Sequence, residues 1–198
     1  WSQERAPVVP CPARCRRRAS RFTRCPLLAG ASVSSYAVER DQGGQLDVFW
    51  ASREGQPAGL YQTRISMDGR TGAPSQPVSN GGFDPALRVD SEGRLHAVWY
   101  EEPRFNEYTL RYATYDAARN PLGSAIDLTS FPTGLGLTAH RPALGLTTTD
   151  AYVFWSLERR GGGRTEPMAE SYWLSFPLGH ADRVGKPQYV NVPPANHP

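Results

Sequence analysis

Lysine occurs once, at Lys186, methionine only at Met67 and Met168, and no stretch approaches the roughly eighteen uninterrupted apolar residues of a membrane-spanning helix. With a mean hydropathy of −0.52, the chain is expected to touch a membrane at most, not to cross one. Scarce methionine beside 19 Gly, 18 Pro and many Trp, Tyr, Phe, Val and Thr favours turns and strands and excludes a helix bundle. What is present suffices for a core: 39% of the 198 residues are apolar, which excludes wholesale disorder.

Only three cysteines occur, Cys11, Cys15 and Cys25, all ahead of the part of the chain that can pack. Their C-x3-C-x9-C spacing has no nearby histidine and lacks the second half of a structural zinc site. In an oxidising compartment Cys25 is the expected partner of Cys11 or Cys15, because a Cys11 to Cys15 bridge closes a very short loop. The four histidines, His96, His140, His180 and His197, show no ligand spacing. No metal and no cofactor is expected.

Net positive charge is confined to one place. Residues 1 to 30 carry seven arginines and one glutamate, so a chain of net charge +3 has an acidic remainder. Arg14, Arg16, Arg17, Arg18, Arg21 and Arg24 stand among Pro7, Pro10, Pro12 and Pro26 with neither helical nor strand periodicity. Residues 1–32 are therefore expected to be an extended arm, disordered alone and able to dock on an acidic protein or an anionic membrane surface. Nucleic acid is the least expected partner, since only Phe22 interleaves with the arginines. Trp1 to Pro12 lack the apolar core of a signal peptide, as a mature N-terminus also would. The body's wealth of Trp, Tyr, Gly, Pro and Thr suggests an extracytoplasmic place: periplasmic, secreted or membrane-peripheral.

From residue 33 the chain repeats itself. An apolar strand ending in tryptophan occurs at Gln45 to Trp50, Arg94 to Trp99 and Asp150 to Trp155. A shorter strand precedes each: Ser35 to Val38, Asp84 to Leu87 and Arg141 to Leu144, joined to it by polar turns at Asp41 to Gly44, Asp90 to Gly93 and Thr147 to Asp150. A third strand follows at Gly59 to Ile65, Thr109 to Tyr115 and Ser171 to Phe176, then a closing strand at Gln76 to Ser79, Ala125 to Thr129 and Gln188 to Asn191. Four strands in about fifty residues is the size of one propeller blade. The tryptophan strands are apolar on both faces: Leu46, Val48 and Trp50 oppose Phe49, Leu95, Ala97 and Trp99 oppose Val98, and Ala151, Val153 and Trp155 oppose Tyr152 and Phe154. Strands covered on both sides have this pattern. The fold class is thus all-β, a partial β-propeller of about three four-stranded antiparallel blades (33–80, 81–132 and 133–191) with an extended N-terminal arm and a tail at 192–198. The alternative is a β-sandwich.

Ser66-Met-Asp68-Gly69 and Thr114-Tyr-Asp116 fall between the third and fourth strands, where the sialidase-like propellers carry their S/T-x-D-x-G-x-x-W/F Asp box. The blades resemble that family, although glycine spacing and the closing aromatic depart from its motif. Asp68 and Asp116 are expected to bond the backbone of their turns. The resemblance implies an arginine cluster, a Tyr/Glu nucleophilic pair and an acidic residue at a central mouth. Arg94, Arg111 and Arg141 near strand starts, and Glu101, Glu102 and Glu107 after the second tryptophan strand, supply residue types without that pattern. No catalytic residue is assigned. The run Glu158 to Arg164 lacks the Lys-Ser/Thr of a phosphate loop and reads as an insertion. With the loop after Trp99 it offers Glu101, Glu102, Arg104, Arg159, Arg160 and Arg164 as binding residues. Three blades leave edges and faces uncovered, so other protein subunits or further copies of the chain are the expected partners. The expected function is a noncatalytic interaction or scaffold module, with a glycoside hydrolase fragment, or a lectin using an exposed aromatic such as Tyr100, as alternatives.

Overall fold

The computed structural model describes residues 32–54, 58–68, 75–104, 107–132, 137–159 and 168–190. The arginine arm, its three cysteines and the tail lie outside them. Twelve strands form three four-stranded antiparallel sheets, each meandering in chain order. The first blade holds β1 (Ser32–Arg40), β2 (Leu46–Glu54), β3 (Gly59–Ile65) and β4 (Gln76–Ser79). The second holds β5 (Gly82–Val89), β6 (Leu95–Arg104), β7 (Glu107–Tyr115) and β8 (Ile126–Pro132). The third holds β9 (Leu137–Leu146), β10 (Asp150–Arg159), β11 (Met168–Pro177) and β12 (Gln188–Tyr189), with a 3-10 turn at Ala181–Arg183 before its last strand. The first strand of each blade is longer than its apolar kernel suggests. It extends back to Ser32, Gly82 and Leu137, which pair with Glu54, Glu101 and Arg159 of the second strands.

Each first strand is bulged, opposite the anchor tryptophan in the second and third blades and beyond it, between the partners of Ala51 and Ser52, in the first. Two residues of β5, Asp84 and Pro85, stand where the partner strand has only Trp99, and Arg141 and Pro142 of β9 stand against Trp155; in β1 the extra residue is Ser34. Proline has no N–H to give a ladder, so it is tolerated on an edge strand at a bulge. At the other end of the blades Asp90 Oδ1 accepts the backbone N–H of Glu92 and Arg94, both at 2.9 Å, and Gly93 supplies the left-handed residue at φ 79°. Asp41 does the same for Gln45 at 2.8 Å, and Asp116 for Asn120 at 2.8 Å. Asp68 accepts a hydrogen bond from the Ser66 hydroxyl.

The blades stack face on face, with β5 packed beside β1 and β9 beside β5. Two cores result, where a sandwich would have one. Between the first and second blades lie Phe49, Ala51 and Leu60 against Leu87, Leu95, Ala97 and Trp99. Between the second and third lie Val98, Tyr100 and Leu110 against Ala151, Val153, Trp155 and Phe176. Alternation along each tryptophan strand therefore sends Trp99 and Trp155 back to the preceding blade and Phe49 and Val98 forward to the next. Among the described residues β9 does not pack beside β1 as it does beside β5, so the stack is an open arc of a propeller.

Several charged groups inside the arc are paired, whereas the Trp50 and Trp99 indole N–H groups and the Thr63 hydroxyl are buried without a hydrogen bond. Asp47 of β2 meets Arg119 from the β7–β8 turn in a buried bidentate pair, Nε to Oδ1 at 2.8 Å and Nη2 to Oδ2 at 2.6 Å. Arg119 Nη1 also donates to the carbonyls of Gly93 and Asp116, at 2.9 and 3.0 Å. Arg64 adds contacts to Asp41 and, at 3.6 Å, to Asp47. Within the second blade His96 is fully buried, its Nε2 3.0 Å from Asp90 Oδ2 and its Nδ1 2.5 Å from the Tyr112 hydroxyl, which accepts from Thr114 at 3.0 Å. A neutral imidazole donating through Nε2 and accepting at Nδ1 satisfies every member of this chain.

Burial lowers the His96 pKa and outweighs the opposing hydrogen bond and charge of Asp90. Burial raises that of Asp90, but hydrogen bonds from His96 and Arg94 overcome it and bring the carboxyl to about 2. Both folded values lie below their unfolded ones, so both contributions are complete above the unfolded pKa and are lost as the pH falls. The His96 contribution is the one reached first, as the pH falls below about 6.5. The urea midpoint is expected to decline as the pH falls from about 7 to about 5, and the His96→Gln variant, which cannot take up that proton, to lose this part of the decline.

Candidate functional site

The inner strands begin, and the second strands end, at one end of the arc, and among the described residues this end holds Glu101, Glu102, Arg104 and Arg159. Between the first two blades a cleft of about 210 Å³ is lined by Ser52, Gly59, Gly82, Phe83, Glu102 and Tyr108, among others. Its floor is glycine because the backbone is crowded: a Cβ on Gly82 would lie 2.8 Å from the Trp99 ring and 2.9 Å from Leu60 Cβ, and one on Gly59 2.5 Å from the Ser79 carbonyl. Phe83 and Tyr108 meet edge to face with ring centroids 5.2 Å apart and give the cleft an aromatic wall.

The singled-out residues do not act together. Glu102 lines the cleft and is exposed, as is Arg104 at the end of β6. Glu101 is committed to its own blade: Arg111 Nη1 donates to it at 2.8 Å while Arg111 Nε donates to Asp127 at 2.7 Å. Arg159 is the last residue of β10, and Arg160 and Arg164 lie outside the described residues, as do Arg14, Arg16, Arg17, Arg18, Arg21 and Arg24. The arginine set implied by the sialidase resemblance does not converge. Arg94 sits at the opposite end of its blade on Asp90 and Glu92, Arg111 faces Glu101 and Asp127, and Arg141 is exposed beside the inner bulge of the third blade.

Tyr100 is corrected outright. Expected to be a loop aromatic open to ligand, it is fully buried in β6, packed by Phe83, Tyr108 and Phe131. Its hydroxyl donates to the His140 carbonyl at 2.8 Å and so ties the second blade to the third. Burial pushes its phenol far above the ordinary range, and the charge of Asp84 adds to this. The reason is alternation: Tyr100 is two residues after Val98, so it shares Val98's face, and that face meets the next blade.

Sequence reasoning missed the residues along the inner strands. The Ser35 hydroxyl accepts the Asp84 N–H at 2.8 Å across the first two blades. Asp84 holds φ 49°, a left-handed conformation that costs a non-glycine residue about 1–2 kcal/mol. His140 Nε2 lies 2.9 Å from Glu158 Oε2. The available signal was position: Ser35, Asp84 and Arg141 open the short first strand at the same place in the three repeats. This end therefore offers carboxylates, a hydroxyl, an imidazole and an aromatic cleft, a set suited to hydrogen bonding a polar ligand. Among the described residues no three His, Cys, Asp or Glu side chains gather as a metal site, and no helix is long and apolar enough to cross a membrane.

No family model matches the chain, and no curated protein matches it in sequence. Among solved structures it is similar to an alpha-L-arabinofuranosidase from Lactobacillus brevis, at 9% identity and a TM-score of 0.47 over 71% of this chain and 52% of that one. It is similar to an alpha-L-arabinofuranosidase from Clostridium thermocellum at 14% identity and a TM-score of 0.46, over 82% of this chain and 53% of that one. It is also similar to an ulvan lyase of polysaccharide lyase family PL25, at 12% identity and a TM-score of 0.49 over 84% of this chain and 42% of that one. The chain spans about half the length of these structures.

Proposed function

We propose that the chain is a noncatalytic, propeller-type interaction or scaffold module, an accessory subunit of a larger extracytoplasmic or membrane-associated assembly. One observation carries the reading. Phe49, Val98 and Phe154 hold the same place in the three repeats, just before the anchor tryptophan, and are 1%, 0% and 45% exposed. The first two are covered by the following blade, and the third presents the same kind of surface with nothing in the described residues upon it. Large apolar side chains exposed on a sheet face mark an interaction surface. The arginine-rich arm supplies positive charge for an acidic protein or an anionic membrane surface, and the sialidase-like repeat serves as framework. In support, Glu101 is tied up by Arg111, and Arg94, Arg111 and Arg141 stand apart. A panel of aryl glycosides, sialosides included, is expected to show no turnover. Turnover lost on Glu102→Gln would overturn the reading.

The cleft favours a second reading, glycan binding, because Phe83 and Tyr108 form an aromatic wall beside Glu102. In that case binding on a glycan array is lost on Tyr108→Ala and kept on Phe154→Ala.

A further inference from the structure

The cleft between the first and second blades holds an unbalanced negative charge. Glu102 lines it and is exposed, and among the described residues no hydrogen bond or ion pair reaches its carboxylate. Neighbouring acids are treated differently: Glu101 and Asp127 share Arg111, and Glu158 meets His140. Arg104, two positions on, is exposed at the end of β6 and is not bonded to Glu102. The cleft therefore sets a carboxylate without a counter-ion beside the rings of Phe83 and Tyr108. The negative face of an aromatic ring and an unpaired carboxylate attract the same kind of group, an organic cation. The acidic balance of the chain beyond residue 30 adds a field of the same sign.

We infer that this cleft takes an amino sugar, a single terminal ring whose ammonium group pairs with Glu102 and whose C–H surface lies against Phe83 and Tyr108. The inference rests on the glycan-binding reading of the cleft and names the charge class of the sugar. Three observations select it. First, an acidic sugar meets repulsion from Glu102 and no guanidinium in compensation, since Arg94, Arg111 and Arg141 are not part of the lining. Second, at about 210 Å³ the cleft is smaller than the roughly 300 Å³ at which pockets for whole small ligands begin, so it receives one ring and not a stretch of polymer. Its depth is fixed, because neither Gly59 nor Gly82 has room for a Cβ. Third, the lining mixes kinds: Ser52 and glycine backbone border the aromatic rings. A sugar offers hydroxyls to the one and a C–H face to the other, whereas a simple alkylammonium ion offers no hydroxyl.

The test is titration of the full chain with glucosamine, glucose, glucuronate and methylammonium, with binding read by ligand-observed magnetic resonance and folding by circular dichroism. Glucosamine is expected to bind about three- to fivefold more tightly than glucose, which carries a hydroxyl in place of the ammonium group, and glucuronate and methylammonium are expected to bind more weakly than either. Added salt is expected to narrow the gap between glucosamine and glucose. Glu102→Gln, at an exposed position, is expected to abolish that gap while both sugars still bind. Gly81→Leu is expected to block every sugar: Gly81 lines the cleft, and a Cβ there meets only Glu101 Cγ among the described residues, at 3.9 Å, so the new side chain enters the cleft without straining the fold. Equal binding of glucosamine and glucose by the unaltered chain overturns the charge class and leaves glycan binding in place. Methylammonium bound as tightly as glucosamine overturns the sugar and leaves a site for a cationic side chain. Sugar binding that survives Gly81→Leu in a folded protein overturns the site, and a chain that binds no sugar defeats the inference together with the reading beneath it.

Discussion

Arg119→Ala is expected to lower the free energy of unfolding by about 3–5 kcal/mol, the cost of leaving a buried carboxylate without its partner. Asp47 and Arg119 are both buried, meet through two charge-assisted hydrogen bonds, and belong to different blades, so the loss falls on the joint between them. The same reasoning fixes two controls. Arg119 holds φ 72°, so Arg119→Gly regains about 1 kcal/mol of backbone strain and is less damaging than Arg119→Ala. Replacing both partners by apolar residues, Asp47→Leu with Arg119→Met, recovers much of the loss, because no charge is then stranded. Urea unfolding of the three variants and the parent measures the differences. A loss below about 1 kcal/mol for Arg119→Ala would mean that the pair is hydrated and behaves as a surface ion pair.

Phe49→Ala is expected to cost about 3–5 kcal/mol, as for other large aromatics removed from a packed core. Its ring lies between the first two blades, edge-on to Tyr115 at 5.7 Å. Phe154→Ala, at the corresponding place in the third repeat, is expected to cost the fold of one chain only about 0.5 kcal/mol, in the range of surface substitutions. One residue type at one repeat position thus differs several-fold in its effect, and the difference is set by whether a blade of the same chain follows. Thermal or urea unfolding of the two variants under conditions that keep the chain monomeric gives the comparison. Equal losses would contradict the assignment of faces.

The blade repeat was legible because its signals are local. A tryptophan closing each doubly apolar strand, with a polar turn before it, specifies strands, hairpins and the two faces, and Trp99, Trp155, Phe49 and Val98 lie where alternation sends them. Asp116 bonds its own turn as expected. What escaped depends on residues distant in the chain. Asp47 and Arg119 are 72 positions apart, and nothing near Arg119 marks it as the cation of another blade's carboxylate. Asp84 is anchored by Ser35, 49 positions earlier. The candidate site was legible only in outline: the end of the arc and Glu102 follow from loop position, whereas the commitment of Glu101 to Arg111 depends on a neighbouring strand. Tyr100 was misjudged because a strand was ended at its tryptophan, although its ladder runs on to Arg104.

The two seams of the arc are made of different chemistry. The joint between the first and second blades combines aromatic packing with the Asp47 and Arg119 charges, while the joint between the second and third is lined by Val98, Leu110, Val153, Trp155 and Phe176, with Tyr112 edge-on to Phe176 at 4.7 Å. Chilling weakens the second kind of contact most, because apolar association loses strength on cooling. Cold should therefore pry the molecule apart at its trailing wedge, while the charged joint still holds the leading one. Amide exchange followed on cooling would show which wedge frays first.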